Sequence, residues 1–96
     1  MSGASISTSD VLVRTDRHVS APLGESLAMM DIDAGTYYLL DDVAASVWAR
    51  LAEPTRVDDL LGDLLVQYEV DRDRCEADVL PFLAALRQKG LLRVQA

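Results

Sequence analysis

Residue types that commonly carry out catalysis are sparse in this sequence. Among its 96 residues it has one histidine, His18, and one cysteine, Cys75. His18 falls in a segment with only a weak strand pattern, which is typical of a solvated surface histidine rather than of a general base. Cys75 falls on the apolar side of a predicted helix, where a thiol packs as a small hydrophobic residue and is not activated as a nucleophile.

Sequence motifs of other catalytic and metal sites are also missing. There is no Gly-x-Ser-x-Gly elbow, no glycine-rich phosphate loop and no histidine pair at the spacing that a metal requires. The acidic pairs Asp41–Asp42 and Asp58–Asp59 stand at predicted helix starts, where the helix dipole explains them. We therefore expect no catalytic residue, no metal and no cofactor, and a protein that binds a partner rather than an enzyme.

The composition narrows the kind of partner. The chain has 16 acidic and 9 basic residues and a net charge of −7, so we expect neither nucleic acid nor a membrane surface as its partner. The longest apolar run, Val79 to Leu86, covers about eight residues, whereas a transmembrane helix needs about 20. A lone cysteine and the absence of a signal-peptide core indicate a cytoplasmic protein. We expect a flexible tail over 1–9 and one domain over 10–96.

Three segments in the first half of the chain have the pattern of β-strands. Apolar residues alternate with polar ones over Val11–Val19, which predicts a short strand. Mixed apolar residues predict a second strand over Leu27–Ile32, and β-forming residues predict a third over Thr36–Leu40. The intervening Asp33–Gly35 is a turn whose glycine accommodates a positive φ, so the second and third strands should form a hairpin.

The sequence then changes to a helical period. Asp41 and Asp42 are candidate N-caps of a first helix, which Pro54 ends. Thr55 is a candidate N-cap of a second helix, whose apolar stripe continues to Tyr68. Each of these helices therefore has one apolar face that can pack on the sheet.

A third helix is predicted from about Asp73 to Gly90, which has the position of a C-terminal glycine cap. Pro81 lies inside this segment, where a proline removes a hydrogen bond and clashes with the preceding turn. We expect a kink there, or a late start of the helix near Ala77. The order β-β-β-α-α-α predicts an α+β domain in which a three-stranded antiparallel sheet precedes three helices, as in a winged helix-turn-helix.

The third predicted strand gives the clearest indication of binding. Tyr37 and Tyr38 are adjacent, so one ring points towards the core and the other towards a second surface. A strand at the end of a meander has backbone groups without a partner, and such an edge can receive a peptide as an added strand. The alternative is that both tyrosines are ordinary residues of an amphipathic strand.

Several short motifs follow one another in a specific order between residues 25 and 94. They are Gly35-x-Tyr37-Tyr38-x-Leu40-Asp41, Ala44-x-x-Val47-Trp48-x-x-Leu51, Val57-x-x-Leu60-x-x-x-Leu64, Tyr68-x-Val70-Asp71, Asp78-Val79-x-x-Phe82-Leu83-x-x-Leu86 and Gly90-Leu91-Leu92. In this order and spacing the chain resembles the PqqD-like proteins, also called RiPP precursor-peptide recognition elements. Its size resembles the discrete leader-binding protein of lasso-peptide clusters.

The resemblance implies a winged helix-turn-helix that binds the leader segment of a ribosomally made precursor peptide and catalyses nothing itself. The leader is expected to add as a strand antiparallel to the third strand and to lie against the third helix. In lasso systems the leader carries a Tyr-x-x-Pro-like element that fills an apolar pocket. The complex is then expected to be presented to a leader peptidase and a cyclase of the same pathway.

The resemblance also implies which residues contact the leader. Arg74 is expected to meet a carboxylate of the leader, and Asp78 a basic group. The expected leader-binding residues lie on the second strand, the third strand and the third helix, and are Met30, Ile32, Thr36, Tyr37, Tyr38, Leu39, Leu40, Arg74, Cys75, Asp78, Val79, Phe82 and Leu83. Those expected to line the apolar pocket are Val79, Phe82 and Leu83, with Met30 or Ile32 beside them and Leu39 or Tyr37 closing it.

Three alternatives stay open. The chain could be a chaperone of another RiPP pathway, or an acidic winged-helix module that dimerises through the same open strand edge. A DNA-binding winged helix is the third alternative, since a fold does not fix a function. That function needs a basic face, for which five arginines would have to cluster, namely Arg50, Arg56, Arg72, Arg74 and Arg87.

Overall fold

A computed structural model of the chain describes residues 6–95, which form six strands and three helices. The strands are β1 (Val11–Arg14), β2 (His18–Leu23), β3 (Ser26–Asp31), β4 (Thr36–Leu40), β5 (Thr55–Arg56) and β6 (Leu92–Val94). The helices are α1 (Asp42–Arg50), α2 (Val57–Tyr68) and α3 (Arg72–Gln88). The predicted α+β class is therefore confirmed.

The strands form two antiparallel three-stranded sheets rather than one. β1 lies between β5 and β6, and β3 lies between β2 and β4. The predicted single strand over Val11–Val19 is wrong, because the chain leaves the first sheet after Arg14 and joins the second at His18. At this break Thr15 N donates to Leu91 O at 3.0 Å. The predicted order β-β-β-α-α-α is also incomplete, since β5 separates α1 from α2 and β6 follows α3.

The hydrophobic core lies between the helices and the inner faces of the two sheets. α1 packs on β3 and β4, α2 packs on α3, and α3 packs on β6. The side chains that are almost completely buried there are Leu12, Met29, Val47, Trp48, Leu51, Val57, Leu60, Leu61, Leu64, Leu83 and Leu91. Burying a side chain of this size contributes about 1.5–3 kcal/mol, so this cluster accounts for much of the driving force for folding.

Two of the predicted helix caps form and one does not. The Asp41 carboxylate accepts a hydrogen bond from Ala44 N at 2.9 Å and begins α1 as predicted. Gly90 follows α3 with φ of 78°, which confirms its role at the helix end. The prediction for Thr55 is wrong, because its backbone belongs to β5 and its hydroxyl donates to Arg50 O at 2.9 Å.

Pro81 is accommodated within α3. The helix runs without interruption from Arg72 to Gln88, so the late start predicted near Ala77 is wrong. Pro81 and Ala77 are both exposed, and the Ala77 carbonyl that loses its usual partner can therefore bind water instead.

The segment before β1 is bonded to the rest of the fold where it is described. The predicted tail includes residues 1–5, which lie outside the described residues. Ile6 packs against the core cluster, Thr8 O accepts from Asp58 N at 3.0 Å, and Asp10 O accepts from Val57 N at 2.9 Å. The start of α2 is thereby held by residues that precede β1. No helix in the described part of the chain is long and apolar enough to cross a membrane.

His18 is partly buried at the start of β2, so its prediction as a solvated surface histidine is wrong. Its ring lies edge-on to Trp48 with ring centroids 4.8 Å apart, and its Nδ1 is buried without a hydrogen-bond partner. Burial lowers the pKa of His18 from its ordinary value, and the nearby charge of Arg14 lowers it further. Protonated His18 is therefore less favourable in the folded protein than in the unfolded chain.

The titration of His18 makes the stability of the fold depend on pH. Because the folded-state pKa of His18 lies below the unfolded value of 6.5, stability is lost as the pH falls through that range. We expect the unfolding midpoint in urea to fall between about pH 7.5 and about pH 5.5. His18→Phe keeps an aromatic edge against Trp48 without a titrating group, and should reduce this fall. An equal fall in both proteins would contradict the prediction.

Candidate functional site

β4 is the edge strand of its sheet. It pairs with β3 on one side, and among residues 6–95 no strand pairs with its other side. Tyr38 lies opposite Met29 and Leu40 lies opposite Leu27 in this register. The predicted hairpin of second and third strands is thus confirmed as β3 and β4.

The direction of the β4 backbone groups follows from the register of the sheet. Ile32 N donates to Arg17 O at 3.0 Å, so Arg17 and Ile32 are a hydrogen-bonded pair. Hydrogen-bonded and non-hydrogen-bonded pairs alternate along an antiparallel ladder, and the next pair, His18 and Asp31, is therefore not hydrogen-bonded. Asp31 therefore directs its backbone N–H and C=O away from β2 and towards its partner in β4, Thr36.

Alternation along the strand then determines the open edge. Thr36, Tyr38 and Leu40 direct their backbone groups to β3, whereas Tyr37 and Leu39 direct theirs away from it. An extended peptide laid beside β4 would therefore find the N–H and C=O groups of these two residues free to pair.

The side chains of β4 alternate between two surfaces. Tyr38 is half-buried on the inner face, and the Lys89 ammonium lies 5.8 Å from the centre of its ring. Tyr37 and Leu39 are on the outer face, with 76% and 70% of their surface exposed. The sequence left open which tyrosine faces the helices, and this tyrosine is Tyr38.

A cavity of about 370 Å³ lies where the end of β4 meets α1 and α3. Its apolar wall comes from the first turns of α1 and from the middle of α3. The residues that line it are Asp41, Val43, Ala44, Val47, Asp78, Val79 and Phe82.

A second cavity, of about 530 Å³, continues from the first towards the start of α3. It is lined by Val43, Leu64, Tyr68, Val70, Asp71, Arg74, Cys75 and Asp78, and it shares Val43 and Asp78 with the first cavity. The Tyr68 hydroxyl is fixed by Ser46 Oγ at 2.9 Å, which holds its ring in this wall. The two cavities together are called the α3 groove below.

The charged residues of the α3 groove lie at its rim and its thiol lies in its floor. Arg74 and Asp78 are exposed and form an ion pair at 3.7 Å. Cys75 is buried, and burial raises the pKa of its thiol, so the thiolate is disfavoured. Within the described residues no cluster of three His, Cys, Asp or Glu side chains could hold a metal ion.

The structure brings together part of the predicted leader-binding set. Arg74, Cys75, Asp78, Val79 and Phe82 all line the α3 groove, beside the end of β4. Val43 could have been identified as a further lining residue, because it is the first apolar residue after Leu40 and lies in the first turn of α1. The contributions of α2 and of Val70 depend on the packing of α2 against α3, which the sequence pattern does not specify.

Leu39 or Tyr37 was expected to close the apolar pocket. The structure puts both side chains on the outer face of the sheet instead, and neither lines the α3 groove.

Three other predicted residues lie elsewhere. Leu83 is completely buried beneath the groove rather than in its wall. Met30 lines a shallow cavity on the outer face of the sheet together with Tyr37, so the structure does not bring it to Val79. Ile32 is half-exposed just beyond β3. Met30 faces outwards because successive side chains of β3 point to opposite faces of the sheet, and Met29 occupies the inner face.

The outer face of the second sheet is uncharged and mostly apolar. The side chains that alternate onto this face from the three strands are Val19, Ala21, Leu23, Ser26, Ala28, Met30, Tyr37 and Leu39. Several of them are more than half exposed. None of them is charged, although 26% of the residues in the sequence are. An exposed apolar area of this kind is typical of a protein–protein contact.

Two solved structures have a fold similar to that of this chain. The fold is similar to that of TbiB1 in complex with the TbiA(beta) leader peptide, with 33% identity and a TM-score of 0.76 over 88% of this chain and 98% of that chain. It is also similar to the fold of lasso peptide synthetase B1 complexed with its leader peptide, with 24% identity and a TM-score of 0.66 over 85% of this chain and 96% of that one. No curated protein matches the sequence.

The sequence also matches a family model over residues 26–92, a range that includes β3, β4 and all three helices. That family is described as PqqD, coenzyme PQQ synthesis protein D. The family resemblance predicted from the order of the motifs is thus confirmed, and the chain belongs to the PqqD family.

Proposed function

We propose that this protein binds the leader region of a lasso-peptide precursor by adding it as a strand to β4. The observation that carries the proposal is the unpaired edge of β4 beside the α3 groove. The backbone groups of Tyr37 and Leu39 would supply main-chain hydrogen bonds, and the groove would receive apolar side chains of the leader. The structural likeness to TbiB1 with its leader peptide supports the same partner class.

The protein acts in this proposal as an adaptor and not as a catalyst. Val79 and Phe82 would contact apolar leader side chains, while Arg74 and Asp78 would contact charged ones at the rim. Strand pairing combined with a shallow groove suits a dissociation constant between about 0.01 and about 10 μM. Binding at this strength raises the effective concentration of the precursor at its modifying enzymes.

Delivery to a leader peptidase and a cyclase is the second part of the proposal. The outer apolar face of the β2–β3–β4 sheet is separate from the α3 groove, so a peptide in the groove would leave it accessible. We propose that the leader peptidase docks on this face. One strand, β4, would then offer its edge to the leader and its outer side chains to the enzyme.

The fold is proposed to be a winged helix-turn-helix, in which α2 and α3 are joined by the turn over 69–71 and the β2–β3 hairpin is the wing. DNA binding is not favoured, because arginines that would be needed for it bond to acidic residues. Arg72 contacts Asp58 and Glu76, which together raise its pKa. Arg74 contacts Asp78.

The experiment that tests leader binding is a fluorescence-anisotropy titration. The probe is the labelled leader peptide of the precursor encoded beside this protein, and a scrambled peptide of equal composition is the control. We expect saturable binding of the native leader alone. No binding to a protein whose folding is verified by circular dichroism would overturn the proposal, and a shift to dimers in light scattering would then favour edge-to-edge association.

Leu39→Pro should block strand addition. Leu39 directs its N–H to the open edge, so proline removes that donor while the hydrogen bonds between β3 and β4 remain. We expect affinity for the leader to fall at least about tenfold in the same titration. The matched control is Leu39→Ala, which removes the exposed side chain but keeps the N–H and should bind normally. Full binding by folded Leu39→Pro would exclude pairing at this edge.

Phe82→Ala should weaken leader binding through the groove. Phe82 lines the cavity beside α1, whereas Leu80 lies on the same helix, is also partly buried and does not line it. We expect about tenfold weaker binding for Phe82→Ala and a much smaller change for Leu80→Ala, with helix content retained in both. Equal effects of the two substitutions would mean that the groove has no specific role.

Val19→Lys tests the outer apolar face. Val19 is on β2, at the far edge of the sheet from β4, so the leader should bind this variant normally. A charge in an apolar contact is costly, and we expect the pathway's peptidase to remove the leader at least about tenfold more slowly. Val66→Lys, at an exposed valine of α2, is the matched control and should change neither binding nor cleavage. Normal cleavage with Val19→Lys would refute docking at this face.

A further inference from the structure

The α3 groove has a direction, because β4 and α3 run in opposite senses. Lys89, next to the end of α3, lies over Tyr38 in the middle of β4. Asp78, in the first half of α3, shares a cavity with Asp41, which directly follows β4. Going back along β4 from Asp41 to Tyr38 therefore corresponds to going forward along α3 from Asp78 to Lys89.

This direction fixes how a bound peptide lies, given the proposed function. A peptide antiparallel to β4 begins at the Leu40 end and proceeds towards Thr36. It therefore passes along α3 from Asp78 towards Lys89. Its N-terminal part lies over the two cavities, and its C-terminal part leaves beside the β3–β4 turn.

The two ends of this path differ in charge. The cavities at the first end are rimmed by three carboxylates, Asp41, Asp71 and Asp78, and by one guanidinium, Arg74, which already contacts Asp78. At the other end stands the Lys89 ammonium, over the ring of Tyr38.

The basic end also includes a neutralised pair. Arg17 approaches Gly90, with its guanidinium 3.0 Å from where a Cβ of that glycine would lie. Arg17 forms an ion pair with Asp33 in the β3–β4 turn, so these two residues together add no net charge beside Lys89. The path of a peptide along α3 thus runs from a negative end at the α3 groove to a positive end at Lys89.

We propose that this polarity selects the leader by charge. A basic side chain on the N-terminal side of the paired segment meets Asp41 and Asp78, and an acidic side chain on its C-terminal side meets Lys89. Lys89 is eleven positions after Asp78, which corresponds to about 16 Å along the helix. An extended peptide covers this distance in about five residues, so the basic and acidic side chains are about five residues apart.

The test uses two versions of the labelled leader peptide of the neighbouring precursor gene. Both keep its central segment, and one has Lys-Lys before that segment and Glu-Glu after it, while the other has these flanks exchanged. The peptides have equal net charge, so the overall charge of −7 on the protein cannot distinguish them. We expect the first peptide to bind about tenfold more tightly at low salt, since each exposed pair contributes only a few-fold.

Two further measurements isolate the assigned residues. The difference between the peptides should shrink between about 0.05 M and about 0.5 M NaCl. The double variant Asp78→Lys with Lys89→Glu exchanges charges at exposed positions and should prefer the second peptide. Equal affinity of both peptides for the unaltered protein, or an unchanged preference in the double variant, would overturn the proposed polarity while leader binding stands. If neither peptide binds and the parent leader does not bind either, the proposed function is overturned together with the polarity.

Discussion

The hydrogen bonds between β3 and β4 set the arrangement of the whole binding region. They hold the backbone of Thr36, Tyr38 and Leu40 to β3, and they thereby leave the groups of the intervening residues on the solvent side. The same alternation puts Tyr38 over the helices and Tyr37 on the opposite surface. A change of register by one residue would exchange the core with the exposed face, and it would turn the backbone groups of Thr36, Tyr38 and Leu40 to the open edge instead.

The other wall of the binding region depends on how directly β4 leads into α1. Leu40 is buried at the end of the strand, and the next residue, Asp41, already caps the helix. No loop separates the two elements, so the first turn of α1 has a fixed position relative to the strand edge. Val43 in that turn consequently joins both cavities of the α3 groove.

The features that the sequence predicted well are those that local patterns encode. The β3–β4 hairpin, the cap at Asp41 and the buried stripe of α3 each depend on residues close together in the chain. The features it missed depend on distant partners. Thr55 has the side chain of a helix cap, but its backbone pairs with Leu12 of β1 instead.

Adjacent apolar residues were the second source of error. Met29 and Met30 are identical residues, and only the register of the sheet decides that the first is buried and the second faces outwards. The prediction of Met30 as part of the helix-facing pocket followed from this ambiguity. The groove wall supplied by α2 was missed because the apolar stripe of a helix indicates which face is buried, but not which other helix or strand packs against that face.

The burial of Trp48 has a consequence for spectroscopy. It is the only tryptophan in the sequence, it is almost fully enclosed in the core, and it lines neither cavity of the α3 groove. Its fluorescence therefore reports the integrity of the domain, while a dye on a peptide reports occupancy of the groove. The two optical signals are separate, and loss of the fold can be recognised independently of loss of the ligand.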